Sequence, residues 1–111
     1  MIFATLRVKV SPKRLGDTQE IMHSILSSIK AEPGCISCRF YQNMHSPEDI
    51  LMITDWKSED YLDRYIAEDE YRKFLALIDL SEEQPEVKFH KVSQVSGMER
   101  IAAIRLGEGS K

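Results

Sequence analysis

The chain has 111 residues, the size of one domain, with a formal net charge of −3 and 42% hydrophobic residues. This charge and the absence of any run of basic residues argue against nucleic-acid binding, which needs a basic face, and no run of about 20 apolar residues exists to span a membrane. Residues 1–10 lack the basic start and cleavage site of a signal peptide, and the two cysteines are typical of reduced thiols. We therefore expect a cytoplasmic protein with no nucleic-acid or membrane partner.

The first third of the chain predicts a strand followed by a helix. Apolar and polar side chains alternate over residues 2–10, as in a strand with one buried face. Ser11 and Pro12 favour a helix start. Gly16 weakens the first turn, so we expect the regular helix to begin near Asp17.

A hairpin is predicted next, after a helix stop at residues 33–34. Residues 35–43 and 49–56 are strand-like, and residues 45–48 have the composition of a turn. The third strand is apolar at consecutive positions over 50–53, which indicates that both of its faces are covered. Two major helices can cover only one face of a four-stranded sheet. A second copy of the same sheet is the simplest cover for the other face, so the sequence predicts a homodimer.

The remaining elements complete a known arrangement. Ser58 and the two acids after it start a second helix, which the acidic run at 68–70 interrupts. Residues 87–95 predict a fourth strand and 98–106 a short amphipathic helix, before a frayed end at 107–111. The order β-α-β-β-α-β predicts an α+β, ferredoxin-like fold with an antiparallel four-stranded sheet.

Three motifs at this spacing resemble the antibiotic biosynthesis monooxygenase superfamily: Glu-Pro-Gly-Cys-Ile-Ser at 32–37, Ser-Pro at 46–47 and Trp-Lys-Ser at 56–58. The resemblance covers nearly the whole chain apart from the tail and implies a dimeric α/β barrel. The superfamily includes cofactor-independent oxygenases of anthrones and quinols, haem-degrading enzymes and an isomerase of a signalling-molecule phosphate. We assign residues 1–96 to a domain of this kind and residues 97–111 to a C-terminal amphipathic segment and tail.

The resemblance also implies a substrate pocket between the sheet and the helices. Trp56, Thr54 and Met52 share one strand face and are candidate substrate-binding residues. Tyr65, on the second helix, is the fourth, because a phenol there could donate a hydrogen bond to a carbonyl or a developing oxyanion. Two simpler interpretations stay open: Trp56 as a core aromatic that closes the sheet end, and Tyr65 as a rim residue with its hydroxyl in water.

The chain departs from the superfamily pattern at several functional positions. Met52 and Leu62 stand where anthrone oxygenases carry Asn and Tyr, and Thr54 stands where many members carry Glu. The second helix has no His and the first strand has no Asn, which argues against haem degradation. No catalytic residue is therefore assigned.

Neither the cysteines nor the histidines predict a metal or redox site. Cys35 and Cys38 are three residues apart on a strand, so we expect them on opposite faces, too far apart for a disulfide. Two cysteines cannot close a thiolate zinc site, and no histidine pair has ligand spacing. We expect no metal and no cofactor.

The leading hypothesis is a cofactor-independent monooxygenase that acts on a planar aromatic of the quinol or anthrone type. The expected partners are a second copy of the chain and this small aromatic molecule. The alternatives are a non-enzymatic module that binds or senses a small molecule, and a structural dimerisation module. A cavity beside Trp56 with a convergent polar group would favour catalysis, whereas a filled core would favour the structural role.

Overall fold

The structure, a computed structural model, describes residues 1–107, so the predicted frayed end lies outside the described residues except for its first position. The strands are β1 (Ile2–Lys9), β2 (Cys35–Asn43), β3 (Ser46–Trp56) and β4 (Glu86–Lys91). The helices are α1 (Leu15–Ile29), α2 (Glu59–Ile66), α3 (Arg72–Leu80) and α4 (Met98–Arg105). The strands form one antiparallel sheet in the order β2-β3-β1-β4, which confirms the predicted α+β, ferredoxin-like fold.

One face of the sheet packs against α1, α2 and α3. Alternate residues of the central strands are buried there, among them Leu6 and Val8 of β1 and Ile50 of β3. Ile25 of α1 and Leu77 of α3 complete this core from the helical side. No helix within residues 1–107 has the length and apolar character needed to cross a membrane.

No helix within residues 1–107 packs against the other face of the sheet. Phe3 and Thr5 of β1 and Leu51 and Ile53 of β3 lie on this face and remain half-buried by their neighbours in the sheet. The prediction that the helices cover one face only is therefore confirmed. The homodimer that would cover the second face stays a prediction.

The hairpin between β2 and β3 is tighter than predicted. Its turn consists of residues 44–45, and β3 begins at Ser46, so the predicted turn at 45–48 was placed too late. Asn43 pairs with Ser46, and the register shifts between Gln42 and Asn43. This irregularity accommodates Pro47 within a strand, and the carbonyl of Pro47 accepts a hydrogen bond from Gln42 Nε2 at 3.0 Å.

Helix α1 begins earlier than predicted. A 3₁₀ turn at Pro12–Arg14 leads directly into α1 at Leu15, so Gly16 lies within the first turn. Ser11 makes no side-chain capping bond, whereas Thr18 Oγ1 donates to the carbonyl of Arg14 at 2.7 Å. The buried Thr18 anchors this first turn and offsets the low helix propensity of glycine.

The later boundaries follow the sequence more closely. The predicted break in the second helix is a 3₁₀ turn at Asp69–Tyr71, which separates α2 from α3. Strand β4 ends at Lys91, four residues before the predicted end at 95, although the N–H of Val92 still donates to the carbonyl of Met1 at 2.9 Å.

A β-bulge changes the facing of the two cysteines. Cys35 pairs with Trp56 and Cys38 pairs with Thr54, with a register shift directly after Cys35. Both thiols therefore pack on the helix-facing side, and the prediction of opposite faces was wrong. The extra residue of a bulge breaks the period of two on which that prediction depended. Both thiols are free, and burial raises the pKa of Cys38 to about 12, so it is not a reactive thiolate.

Candidate functional site

Gly34 sets the position of the end of β3. Its φ of +82° is a left-handed conformation that glycine adopts without strain, and the ring of Tyr61 lies where a Cβ would be. The carbonyl of Gly34 accepts a hydrogen bond from the N–H of Lys57 at 2.9 Å. This contact joins the loop between α1 and β2 to the junction between β3 and α2, and so places Trp56 beneath α2.

Trp56 is held by one polar and one aromatic contact. It is 1% exposed, and its Nε1–H donates to Oγ1 of Thr54 at 3.0 Å. Its ring lies 5.2 Å from that of Tyr65 at an interplanar angle of 32°. The orientation of the indole is therefore determined by β3 on one side and by α2 on the other.

Three further aromatic contacts extend this wall. Tyr65 makes edge-on contacts with Tyr71 and Phe74, each with ring centroids 5.7 Å apart, and Tyr71 stacks on Phe74 at 5.0 Å. Neither Tyr71 nor Phe74 was predicted to belong to the site. The available signal was the spacing of aromatic residues on both sides of the break at Asp69–Tyr71, which separates α2 from α3.

A narrow cleft lies between the sheet and α2 and α3. Its walls are formed by Ala4, Thr5, Leu6, Met52, Thr54, Trp56, Leu62, Tyr65, Tyr71, Phe74, Ile78, Val87 and Phe89. Ala4 of β1 lies between Thr54 and Phe89 in the sheet, and its small side chain leaves room there. The space open to the centre of a water molecule is about 20 Å³, enough for roughly one water-sized sphere.

The structure brings all four sequence-predicted candidates to this cleft. Trp56, Thr54, Met52 and Tyr65 each form part of its wall, and all four are buried. The rim interpretation of Tyr65, with its hydroxyl in water, was therefore wrong. The part of these residues in substrate binding stays a prediction.

Tyr65 carries a hydroxyl that is buried and has no hydrogen-bond partner among the described residues. Burial raises the pKa of this phenol, and the carboxylates of Glu32 and Glu70 raise it further. The group is therefore a protonated hydrogen-bond donor at neutral pH. Buried polar groups in proteins almost always have partners, so this hydroxyl is available to a water or a ligand in the cleft.

The walls of the cleft contain no strong base. None of the side chains that line it is a carboxylate, an imidazole or an amine. Within residues 1–107, no group of three or more His, Cys, Asp or Glu side chains is placed to hold a metal ion. The cleft thus offers aromatic surface and hydroxyl groups. Its size is intermediate between the open cavity expected for catalysis and the filled core expected for a structural role.

The chain matches a family model and is similar to a known protein and to solved structures. The family model described as antibiotic biosynthesis monooxygenase matches residues 1–77. An uncharacterised protein of Synechocystis, sll1783, is 24% identical over 88 residues, which are 78% of this chain and 60% of that relative. The chain therefore spans less than two thirds of the length of this curated relative.

Two solved structures illustrate the similarity of fold. A conserved protein from Methanosarcina mazei Go1 is 25% identical with a TM-score of 0.76, over 83% of this chain and 92% of that one. SnoaB, a cofactor-independent oxygenase from Streptomyces nogalater, is 16% identical with a TM-score of 0.73, over 85% and 94% of the two chains.

Proposed function

Because this chain belongs to the antibiotic biosynthesis monooxygenase family, we propose that it is a cofactor-independent monooxygenase of a planar aromatic substrate of the quinol or anthrone type. The observation that carries this proposal is the buried, unpartnered hydroxyl of Tyr65 beside the ring of Trp56. A buried donor left without any partner costs about 1–3 kcal/mol. A substrate oxygen that accepts this hydrogen bond removes that cost, while the aromatic wall holds a flat ring.

The proposed reaction draws its electrons from the substrate. An anthrone-type CH₂ group becomes a carbonyl, one atom of O₂ becomes the carbonyl oxygen, and the other atom leaves as water with the two hydrogens. Tyr65 donates a hydrogen bond to the substrate oxygen that carries negative charge during the reaction. Its raised pKa keeps it protonated in this role. The apolar walls exclude water from the reactive carbanion.

Substrate binding requires the cleft to widen, since a planar aromatic is much larger than the space now open. The side of β4 offers the access route. Val87 and Phe89 form the outer wall of the cleft and are 42% and 54% exposed, because no described helix packs over them. We propose that substrate enters between β4 and α3 and separates them.

A non-enzymatic binding module is the second candidate. The observation that favours it is the absence of a carboxylate, imidazole or amine from the side chains that line the cleft. Such a cleft binds a neutral aromatic molecule through stacking and hydroxyl contacts but leaves the removal of a proton to the solvent or to the acidity of the substrate itself.

Oxygen consumption distinguishes the two candidates. Purified protein, freed of metals by chelation and without added flavin, is mixed with a panel of hydroquinones and anthrone in an oxygen electrode. The fluorescence of Trp56, the single tryptophan, reports binding in parallel. The oxygenase predicts uptake of one O₂ per anthraquinone or hydroxyquinone formed, above the rate without protein and without release of hydrogen peroxide. Saturable quenching without uptake supports the binding module. The absence of both quenching and uptake would contradict both candidates.

A further inference from the structure

Thr54 carries a hydrogen-bond donor in the cleft. Its side chain is 3% exposed, and its Oγ1 accepts the indole N–H of Trp56 at 3.0 Å. A threonine hydroxyl has one proton to donate and two lone pairs that accept. The indole occupies one lone pair, and Thr54 Oγ1 acts as an acceptor in this bond. The hydroxyl of Thr54 therefore retains a proton that it can donate to a ligand in the cleft.

The contact with Trp56 has two consequences for a ligand. The indole N–H already donates to Thr54, so a ligand can stack on the ring of Trp56 but receives no hydrogen bond from it. The same contact restrains Oγ1 of Thr54, because Trp56 and Thr54 are two residues apart on one strand face and the indole is packed against Tyr65. The hydroxyl of Thr54 is thus oriented before a ligand arrives.

We propose that Thr54 is the specificity-determining residue of this cleft, and that its hydroxyl selects flat molecules bearing a carbonyl or phenolate oxygen over hydrocarbons of the same shape. This inference rests on the proposed function of the cleft, for which it specifies the ligand chemistry. A carbonyl or phenolate oxygen accepts hydrogen bonds and carries no proton, so it needs no acceptor in the cleft. The hydroxyl of Tyr65 is the second donor that such an oxygen would find in the same apolar surroundings.

The apolar walls make this selection stronger than it would be on an open surface. Apart from the hydroxyls of Thr54, Tyr65 and Tyr71 and the indole N–H, the side chains that line the cleft from the helix-facing side have no polar nitrogen or oxygen. Thr5 borders the cleft, but its side chain lies on the other face of the sheet. Water therefore competes poorly for the donor of Thr54 once a ligand fills the cleft. One hydrogen bond of this kind corresponds to about a tenfold difference in affinity.

The test compares two ligands that differ in one oxygen. Isothermal titration measures the affinity of the full-length protein for 1-indanone, which has a carbonyl, and for indane, which has the same rings without it. The wild type is expected to bind 1-indanone at least about tenfold more tightly, because Thr54 and Tyr65 can both donate to its carbonyl. Thr54→Val keeps the shape and removes the hydroxyl; in a Trp56→Phe background, which has no indole N–H to release, it should lower the ratio about tenfold. Thr54→Ser should retain the wild-type ratio.

Thr18→Val is the matched control, because it removes another buried threonine hydroxyl that bonds Arg14 far from the cleft. It should lower stability and leave the ligand ratio unchanged. A Thr54→Val change that weakens both ligands equally in the Trp56→Phe background, or leaves the ratio of that background unchanged, would overturn the inference and leave the oxygenase proposal standing. A wild type that binds neither ligand would contradict both the inference and the use of this cleft for flat aromatic molecules.

Discussion

Trp56 is the residue at which core packing and the candidate site coincide. Its burial and its contact with Tyr65 show that it closes the sheet end, and it also forms a wall of the cleft. The two roles that the sequence left open are therefore compatible in the structure, since a rigid core aromatic is also a surface on which a flat ligand can stack.

Replacing Trp56 with Phe separates these two roles. Phe fills most of the same wall, so we expect the fold to persist, with the hydrogen bond to Thr54 lost. Ligand binding should weaken by about 0.5–1.5 kcal/mol, the typical contribution of an aromatic contact beyond its area. Thermal unfolding and calorimetric titration measure the two effects. Lower stability with unchanged ligand affinity would assign Trp56 a purely structural role.

Replacing Tyr65 with Phe tests whether the site is maintained at a cost to the fold. The substitution removes a buried hydroxyl that has no partner and keeps the ring contacts with Trp56 and Phe74. We expect the free energy of unfolding to be unchanged or to rise by up to about 1 kcal/mol, while ligand affinity falls. Urea unfolding of the ligand-free protein measures the first effect. A loss of more than about 1 kcal/mol would show that the hydroxyl has a structural partner.

The facing of individual residues was predictable wherever a strand is regular. Period two placed Met52, Thr54 and Trp56 on one face of β3, and the structure agrees. The same rule failed for Cys35 and Cys38, because a bulge adds one residue and no local signal in the sequence marks it. The absence of a partner for the Tyr65 hydroxyl could not be predicted from the sequence either, since the partners of a buried group depend on how the core packs.

Among the elements, the loop that joins α1 to β2 depends most on a single residue type. Gly34→Ala forces a left-handed conformation on a residue with a Cβ and drives that Cβ into the ring of Tyr61. We expect a loss of about 2–4 kcal/mol, from about 1–2 kcal/mol of backbone strain and the displacement of a packed ring. The melting temperature should fall by more than about 8 °C.

Gly16→Ala is the matched control for this substitution. Gly16 lies in the first turn of α1, and a Cβ there meets nothing within 4 Å. Its replacement should raise the free energy of unfolding by up to about 1 kcal/mol, because alanine favours a helix more than glycine does. Equal losses in both variants would contradict the role assigned to the positive φ of Gly34.

Element type and order followed from the sequence, whereas element boundaries did not. The spacing of apolar residues predicted the correct order of elements, because each strand and each helix buries one continuous face. The early start of α1 depends on a bond from Thr18 to Arg14, and the tight turn at 44–45 depends on pairing of Asn43 with Ser46. Each of these is a contact between particular residues that composition alone does not indicate.

At the scale of the whole molecule, the uncovered sheet face predicts a homodimer, as is typical of this family. Leu51 and Ile53 lie on that face within a central strand. We expect sedimentation at micromolar concentration to give twice the monomer mass. Ile53→Asp should shift the mass to that of a monomer, because it places an unpaired charge in an apolar interface.

Leu75→Asp is the control for the dimer experiment. Leu75 is an exposed apolar residue of α3, on the helical layer and away from the open sheet face. The same charge placed there should leave the dimer intact. A wild-type chain that sediments as a folded monomer would contradict the sheet-to-sheet dimer, and so would an Ile53→Asp variant that remains dimeric.

The C-terminal helix gives the last prediction. None of its side chains is buried, and Met98, Ile101 and Ile104 are 83%, 60% and 55% exposed. The radius of gyration over the Cα atoms is 16.9 Å, against about 13 Å for a compact chain of this length, and α4 contributes no residue to the hydrophobic core. An isolated helix of eight residues is unstable in water, so α4 needs a surface on which to pack.

We expect that surface to belong to the second copy of the dimer. Deleting residues 97–111 should raise the dimer dissociation constant at least tenfold, equivalent to about 1.4 kcal/mol, because apolar area is lost from the interface. Far-ultraviolet circular dichroism should lose only the signal of one short helix, since the sheet and its core do not involve α4. Ile101→Asp should weaken the dimer similarly, whereas Arg100→Ala, a change to an exposed polar residue of the same helix, should not. An unchanged dissociation constant in the deletion variant would show that α4 packs elsewhere, and unfolding of the domain would show that it is part of the core.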